Sequence, residues 1–144
     1  MRLEDYTADA ICRAMDLAGF IEESWMQSES PTLRVVLKPS FHPELCVTVG
    51  RCSDAAMLSA VALIESFWLQ GSDAYLPRES EQVSLPVSVF DEVVALFSTA
   101  HNSFDPKRSY VCADGMGSES CLVSRAVRSG CARTFLNSER PENS

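Results

Sequence analysis

The sequence predicts an α+β fold in which an antiparallel sheet of about five or six strands packs against one main helix at about 87–102 and an N-terminal helix at about 7–18. Three observations lead there. "LRVVLK" (33–38) and "LCVTVGR" (45–51) alternate apolar and polar residues with the period of a strand. "PVSVFDEVVALFSTAHNSF" (86–104) repeats its apolar residues with the period of a helix. After it come short alternating segments separated by Asp114-Gly115 and Ser129-Gly130, both turn-forming pairs.

The elements follow in chain order. In "TADAICRAMDLAG" (7–19), Ile11, Cys12, Met15 and Ala18 fall on one helical face, Thr7 is suited to cap the start, and Gly19 to end the helix. "FIEESWMQSES" (20–30) fits a strand running into a Ser-Glu-Ser-Pro turn. The next two strands place Leu33, Val35 and Leu37, and then Leu45, Val47 and Val49, on one face, with Arg34 and Lys38 opposite. Between them "PSFHPE" carries a proline near each end and reads as the loop of a hairpin.

"SDAAMLSAVALIESFWLQG" (53–71) satisfies both periods because nearly every residue is apolar. Its Ala, Leu and Met content favours helix, yet strict alternation is equally consistent with a long strand. "GSDAYLPRESEQ" (71–82) reads as loop, with "VSLP" a short strand before the main helix. That helix has Pro86 near its start, Asp91 and Glu92 in early turns, and a core face of Phe90, Val93, Val94, Leu96, Phe97 and Ala100. "SYVCA" (109–113) and "ESCLVSRAVR" (119–128) then form a hairpin about Asp114-Gly115, with Met116 to Glu119 as an exposed tip, and "CARTFLN" (131–137) adds a strand. We expect one domain over 1–137 and a disordered tail over 138–144.

Composition narrows the functional classes. Hydrophobic residues make up 46% and charged residues 22%, the balance of a soluble globular chain rather than a disordered one. The run "AAMLSAVALI" is too short to span a bilayer and "MRLEDYTADA" is unlike a signal peptide, so the expectation is cytoplasmic with six free thiols. Net charge is −8, with seven acids and two bases in residues 1–30 and five acids and one base in 72–92. Such a chain is repelled by phosphate backbones and attracted to basic surfaces, which argues against nucleic acid and anionic membrane as partners.

Candidate chemistry is sparse. His42, Cys46 and Cys52 are zinc-ligand types, but the spacing H-x3-C-x5-C is not that of paired close ligands and no fourth ligand follows. Cys112 or Cys121 with His101 and Asp105 or Asp114 would supply thiol, base and orienting acid, without any local motif that brings them together. "GMGSES" is neither a nucleophile elbow nor a phosphate loop. The sequence therefore points away from an enzyme, and to no metal or cofactor. Aromatics beside acids are the other signal: Trp25 with Glu22 and Glu23, and Tyr75 with Asp73, Glu79 and Glu81, form candidate contacts for a basic protein partner.

One resemblance rests on "LRVVLKPSFHPELCVTV", an apolar stretch ending in Trp, "VSLPVSVFDEVVALF" and "VCADGM". This order resembles the small cytoplasmic immunity-type proteins encoded beside bacterial polymorphic or contact-delivered toxins, most closely over 83–136. The chain departs from their closing pattern, an aromatic strand ending in Asn-Pro, by reading "TFLNSERP". The resemblance implies a protein without catalysis of its own that binds one cognate toxin, for which an acidic surface suits a basic nuclease domain. Two other classes stand beside it: an acidic secretion chaperone for an exported effector, though these typically end in a helix, and a small thiol- or metal-dependent enzyme.

Overall fold

A computed structural model describes residues 2–20, 32–40, 42–52, 54–70, 76–103, 109–111, 116–123, 130–136 and 140–142. Its centre is a six-stranded antiparallel sheet, in keeping with the expected α+β class. β1 (Thr32–Pro39), β2 (Leu45–Cys52), β3 (Ala55–Leu63) and β4 (Arg78–Leu85) form a meander, and β6 (Met116–Val123) and β7 (Gly130–Leu136) extend it beyond β1, giving the order β4-β3-β2-β1-β6-β7. Helix α1 spans Ala8–Ala14, the short α2 Phe67–Gln70 and the long α3 Val87–Ser103.

β1 and β2 pair as their alternation implies, with Leu33 opposite Val49, Val35 opposite Val47 and Leu37 opposite Leu45. The other face, carrying Arg34, is not turned to solvent. Val36 and Cys46 lie opposite each other there and are fully buried, and Arg34 is buried with them. The reason is that each face has its own helix. Ile11, Cys12 and Met15 of the α1 region cover Val36 and Cys46, together with Leu63, Phe67 and Leu76. Phe90 of α3 covers Val49 and Ala56, flanked by Val47, Leu58, Leu85 and Val94.

α1 starts as expected, the Ala10 amide donating to Thr7 Oγ1 at 3.1 Å. It stops well before 18, however. Asp16 takes a left-handed φ of 61°, and the amides of Leu17 and Asp16 donate to the carbonyls of Cys12 (2.9 Å) and Arg13 (3.0 Å). That is a Schellman termination with Asp rather than Gly at its left-handed position, a role Asp fills because its short polar side chain tolerates that conformation.

Segment 53–71 divides: β3 runs to Leu63, and among the described residues Phe67–Gln70 are the helical part. Helical propensity loses because β3 is paired along its length by β2 on one side and β4 on the other. Ala56, under Phe90, is the small residue that lets α3 lie close to the strand. β4 is longer than the expected "VSLP", since Arg78–Gln82, read as loop, pairs with Ser59–Leu63. Among the described residues β4 ends the sheet, and end strands keep charged residues, so its composition imitates a loop. On α3, Leu96 is 65% exposed and so outside the core face. Six residues after Phe90 it stands on the far side of a 3.6-residue helix, whereas Val94 stays on the near side.

The C-terminal pairing departs most from expectation. β5 (Ser109–Val111) does not form a hairpin with β6; it pairs with β8 (Arg140–Glu142) in a separate two-stranded sheet. Residues expected in a tail thus supply a strand. Met116 to Glu119 are no tip either, being paired to β1 on one side and β7 on the other. The sheet ladder claims them because β1 carries apolar residues on both faces and so belongs inside the sheet. No helix among the described residues is long and apolar enough to cross a membrane.

Candidate functional site

Of the residues singled out for partner contact, Glu79 and Glu81 are described, and both are exposed on β4. β4 is an outermost strand of the sheet, and its pairing among the described residues is with β3 alone. Glu79 and Glu81 alternate with Ser80 and Gln82, so the two carboxylates lie on the same side of the strand. Glu22, Glu23, Trp25, Asp73 and Tyr75 lie outside the described residues. So do the side chains of Cys52, His101, Cys112, Cys121, Asp105 and Asp114.

The thiol and metal candidates resolve differently. Cys46 is buried beneath α1 and faces Cys12 rather than His42, which is exposed. A hydrogen bond with Cys46, together with burial, pushes the Cys12 thiol well above its ordinary value. Both sulfurs belong to the buried core, and the Cys12 thiol stays protonated there. Among the described residues no three His, Cys, Asp or Glu side chains are placed to share a metal ion.

The most organised polar feature is one the sequence did not advertise. Glu44, just ahead of β2, has no solvent exposure at all. Its carboxylate accepts hydrogen bonds from Tyr6 OH (2.7 Å), Ser66 Oγ (3.2 Å), the Phe67 amide (2.7 Å) and the Trp68 amide (3.2 Å). The two amides open α2, where helical geometry leaves N–H groups without partners. A carboxylate from elsewhere in the chain thus does the capping, and in doing so it fixes α2 against the ends of β2 and β3. The Glu44 carbonyl also accepts from the Leu63 amide at 3.0 Å.

Aromatic packing completes this corner. The Tyr6 ring stacks on Phe67 with centroids 6.2 Å apart and meets Trp68 edge-on at 4.9 Å. Burial first, then the hydrogen bond to Glu44 and its negative charge, hold the Tyr6 phenol well above the ordinary tyrosine range. It remains a donor at any physiological pH. Lys38 Nζ lies over the same ring, 5.4 Å from its centroid. A cavity of about 280 Å³ opens between these groups, bounded by Leu3, Tyr6, Lys38, Ser40, Trp68 and Leu69. Around its mouth stand apolar side chains in solvent: Leu3 is 78% exposed and Leu69 72%.

A wider groove of about 520 Å³ lies over the opposite end of the α1-side face, between Leu17, Arg34, Thr48, Ser59 and Gln82. Arg34 is fixed at its base, donating to Thr48 Oγ1 at 2.8 Å and to the Gly19 carbonyl at 2.6 Å. Its guanidinium thus ties the chain after α1 to the sheet.

Tyr6, Glu44 and Ser66 come from three distant segments, which is why no local motif announced them. The available signals were faint: an acid in "HPELC" flanked by apolar residues, and a serine directly before Phe67-Trp68. No protein-family model, curated protein or solved structure matches the chain.

Proposed function

We propose that this chain is a non-catalytic binding protein that neutralises a cognate bacterial toxin by direct contact, with the acidic edge of β4 as part of the contact surface. The observation that carries this reading is the exposure of Glu79 and Glu81 side by side on an outermost strand. Acids on such a strand discourage pairing with another copy of the same chain and attract a basic partner. The net charge of −8 strengthens that attraction and speeds encounter. The immunity-type element order over 83–136 supports the same reading, and a basic nuclease domain is the partner class it favours. Glu22, Glu23, Asp73, Trp25 and Tyr75 are proposed from the sequence as further contacts for the same partner.

Co-expression tests it. The toxic domain encoded beside this chain's gene is produced in a host cell with and without the chain. Survival with the chain, lost or weakened when Glu79→Lys and Glu81→Lys are combined, is the expected result. Death of cells that contain abundant folded chain would sink the proposal.

A further inference from the structure

β4 offers a partner more than its two carboxylates, because its backbone is laid out along one side to receive a strand. Register and one bond identify the groups concerned. Ala62 stands opposite Glu79, Ala60 opposite Glu81 and Leu58 opposite Val83, and the Ile64 amide, just beyond β3, donates to the Pro77 carbonyl at 2.9 Å. In an antiparallel ladder the hydrogen-bonded pairs recur at every second residue. The N–H and C=O groups of Glu79, Glu81 and Val83 therefore turn to β3, and those of Ser80, Gln82 and Ser84 turn away from it. Glu79 to Ser84 are all exposed, and the pairing of β4 among the described residues is with β3 alone. Outward donors and acceptors thus recur along a strand that keeps one register from Arg78 to Leu85.

We propose that β4 takes up an extended segment of a partner protein as an added strand, the segment carrying basic side chains at two alternate positions and an apolar one at the next. This deepens the proposed function and rests on it for the partner's identity. Side-chain alternation sets the pattern. Glu79, Glu81 and Val83 share one face of the strand, so the residues beside them read basic, basic, apolar at every second position. For an antiparallel segment these are the pairs without mutual backbone hydrogen bonds, where Cα atoms approach to about 4.5 Å and side chains meet most closely. Opposite charges placed there stabilise the pairing and like charges oppose it. β3 sets Ala62 and Ala60 opposite the two acids, and Arg78, on the other face, is engaged by Asp16 at 3.1 Å. A second copy of this chain would bring its own two carboxylates to the edge, so the acids that attract a basic segment also discourage self-pairing. Main-chain bonds supply the affinity of such an addition, and the alternate side chains its selectivity.

The test follows the backbone amides of the isotope-labelled chain by NMR. Two short blocked peptides are titrated in: one alternates threonine with two lysines and then valine, and the other has glutamates in place of the lysines. Saturable shifts led by Ser80, Gln82 and Ser84 with the lysine peptide, slower exchange of those amides in the complex, and glutamate-peptide binding weaker by about tenfold or more are expected. Gln82→Pro removes the central outward N–H while sparing the ladder to β3, and it lowers lysine-peptide affinity by about tenfold or more, whereas Gln82→Ala retains it. Melting curves of both variants accompany the titration, and if Gln82→Pro does not fold, amide exchange and the comparison of the two peptides decide. Absence of saturable binding by the lysine peptide up to about 1 mM overturns the proposal. So does equal binding of the glutamate peptide, unchanged affinity in folded Gln82→Pro, loss of binding in folded Gln82→Ala, or pairing of two copies of the chain through β4. A toxic domain from a neighbouring gene separates this proposal from the one it rests on. Binding of that domain without protection of the three amides overturns the strand addition and leaves the proposed function standing, while lysine-peptide binding at β4 with no binding of the domain supports the strand addition and sinks the toxin reading.

Discussion

Replacing Glu44 by Ala removes one side chain and orphans four donors. Two of these, the Phe67 amide and Ser66 Oγ, belong to buried residues, while the bonds from Tyr6 and Trp68 are part-buried and their loss costs less. A buried donor left without an acceptor costs about 1–3 kcal/mol, and bonds to a charged acceptor lie at the upper end of that range. Relief from burying a carboxylate offsets part of the loss. The net expectation is about 3 kcal/mol, a large share of the roughly 5–15 kcal/mol that stabilises a typical domain. Urea unfolding followed by tryptophan fluorescence reads it as a midpoint lowered by about 1.5 M, at a slope of about 2 kcal/mol per M. Glu44→Gln is the sharper variant. It keeps an oxygen for Tyr6 and Trp68 but turns an amide NH₂ towards the Phe67 N–H, so about half the loss is expected. A Glu44→Ala protein within about 0.5 kcal/mol of the parent would show that the four bonds do not organise the corner.

Three further outcomes test the packing and its electrostatics. Phe90→Ala empties the contact between α3 and β2–β3 and should cost about 3–5 kcal/mol in the same unfolding assay. Arg34→Met leaves the buried Gly19 carbonyl without its donor; about 1–3 kcal/mol is expected, with faster hydrogen exchange concentrated in residues 15–20 if the guanidinium is what ties that segment down. The Tyr6 phenol is raised above its ordinary value in the folded chain, so its contribution is fully present below pH of about 10 and is lost as pH rises beyond it. Stability of the parent should therefore fall more steeply than that of Tyr6→Phe above pH of about 10, and parallel curves there would contradict the assignment.

The sequence made the hairpin of β1 and β2 and the span of α3 legible because each has one dominant period. It did not show that both faces of the sheet are covered, since Arg34 reads as a surface residue until its guanidinium is seen bonded to Thr48 and Gly19. β3 was undecidable for a physical reason. An all-apolar run of Ala, Leu and Val fits either period, and the neighbours β2 and β4 choose between them. The end of α1 is not legible in the sequence because a left-handed Asp carries a weaker signal than Gly. Pairing of β5 with β8 depends on contacts across some thirty residues, which local turn chemistry at Asp114-Gly115 could not reveal. Composition marks the acids of β4, whereas their place on an outer strand is visible only in the sheet order. Tyr6, Glu44 and Ser66 were invisible as a group, because what unites them is a hydrogen-bond network and not a spacing.

Direct binding to a toxic domain from a neighbouring gene, the partner the proposed function requires, is the measurement closest to the central claim. Titration calorimetry of the two purified proteins should give stoichiometric binding that weakens with added salt, as expected for charge-steered association. Combining Glu79→Lys with Glu81→Lys should lower the affinity by about tenfold or more without changing the melting temperature. Absence of measurable binding, or affinity indifferent to both salt and the double charge reversal, would contradict the account.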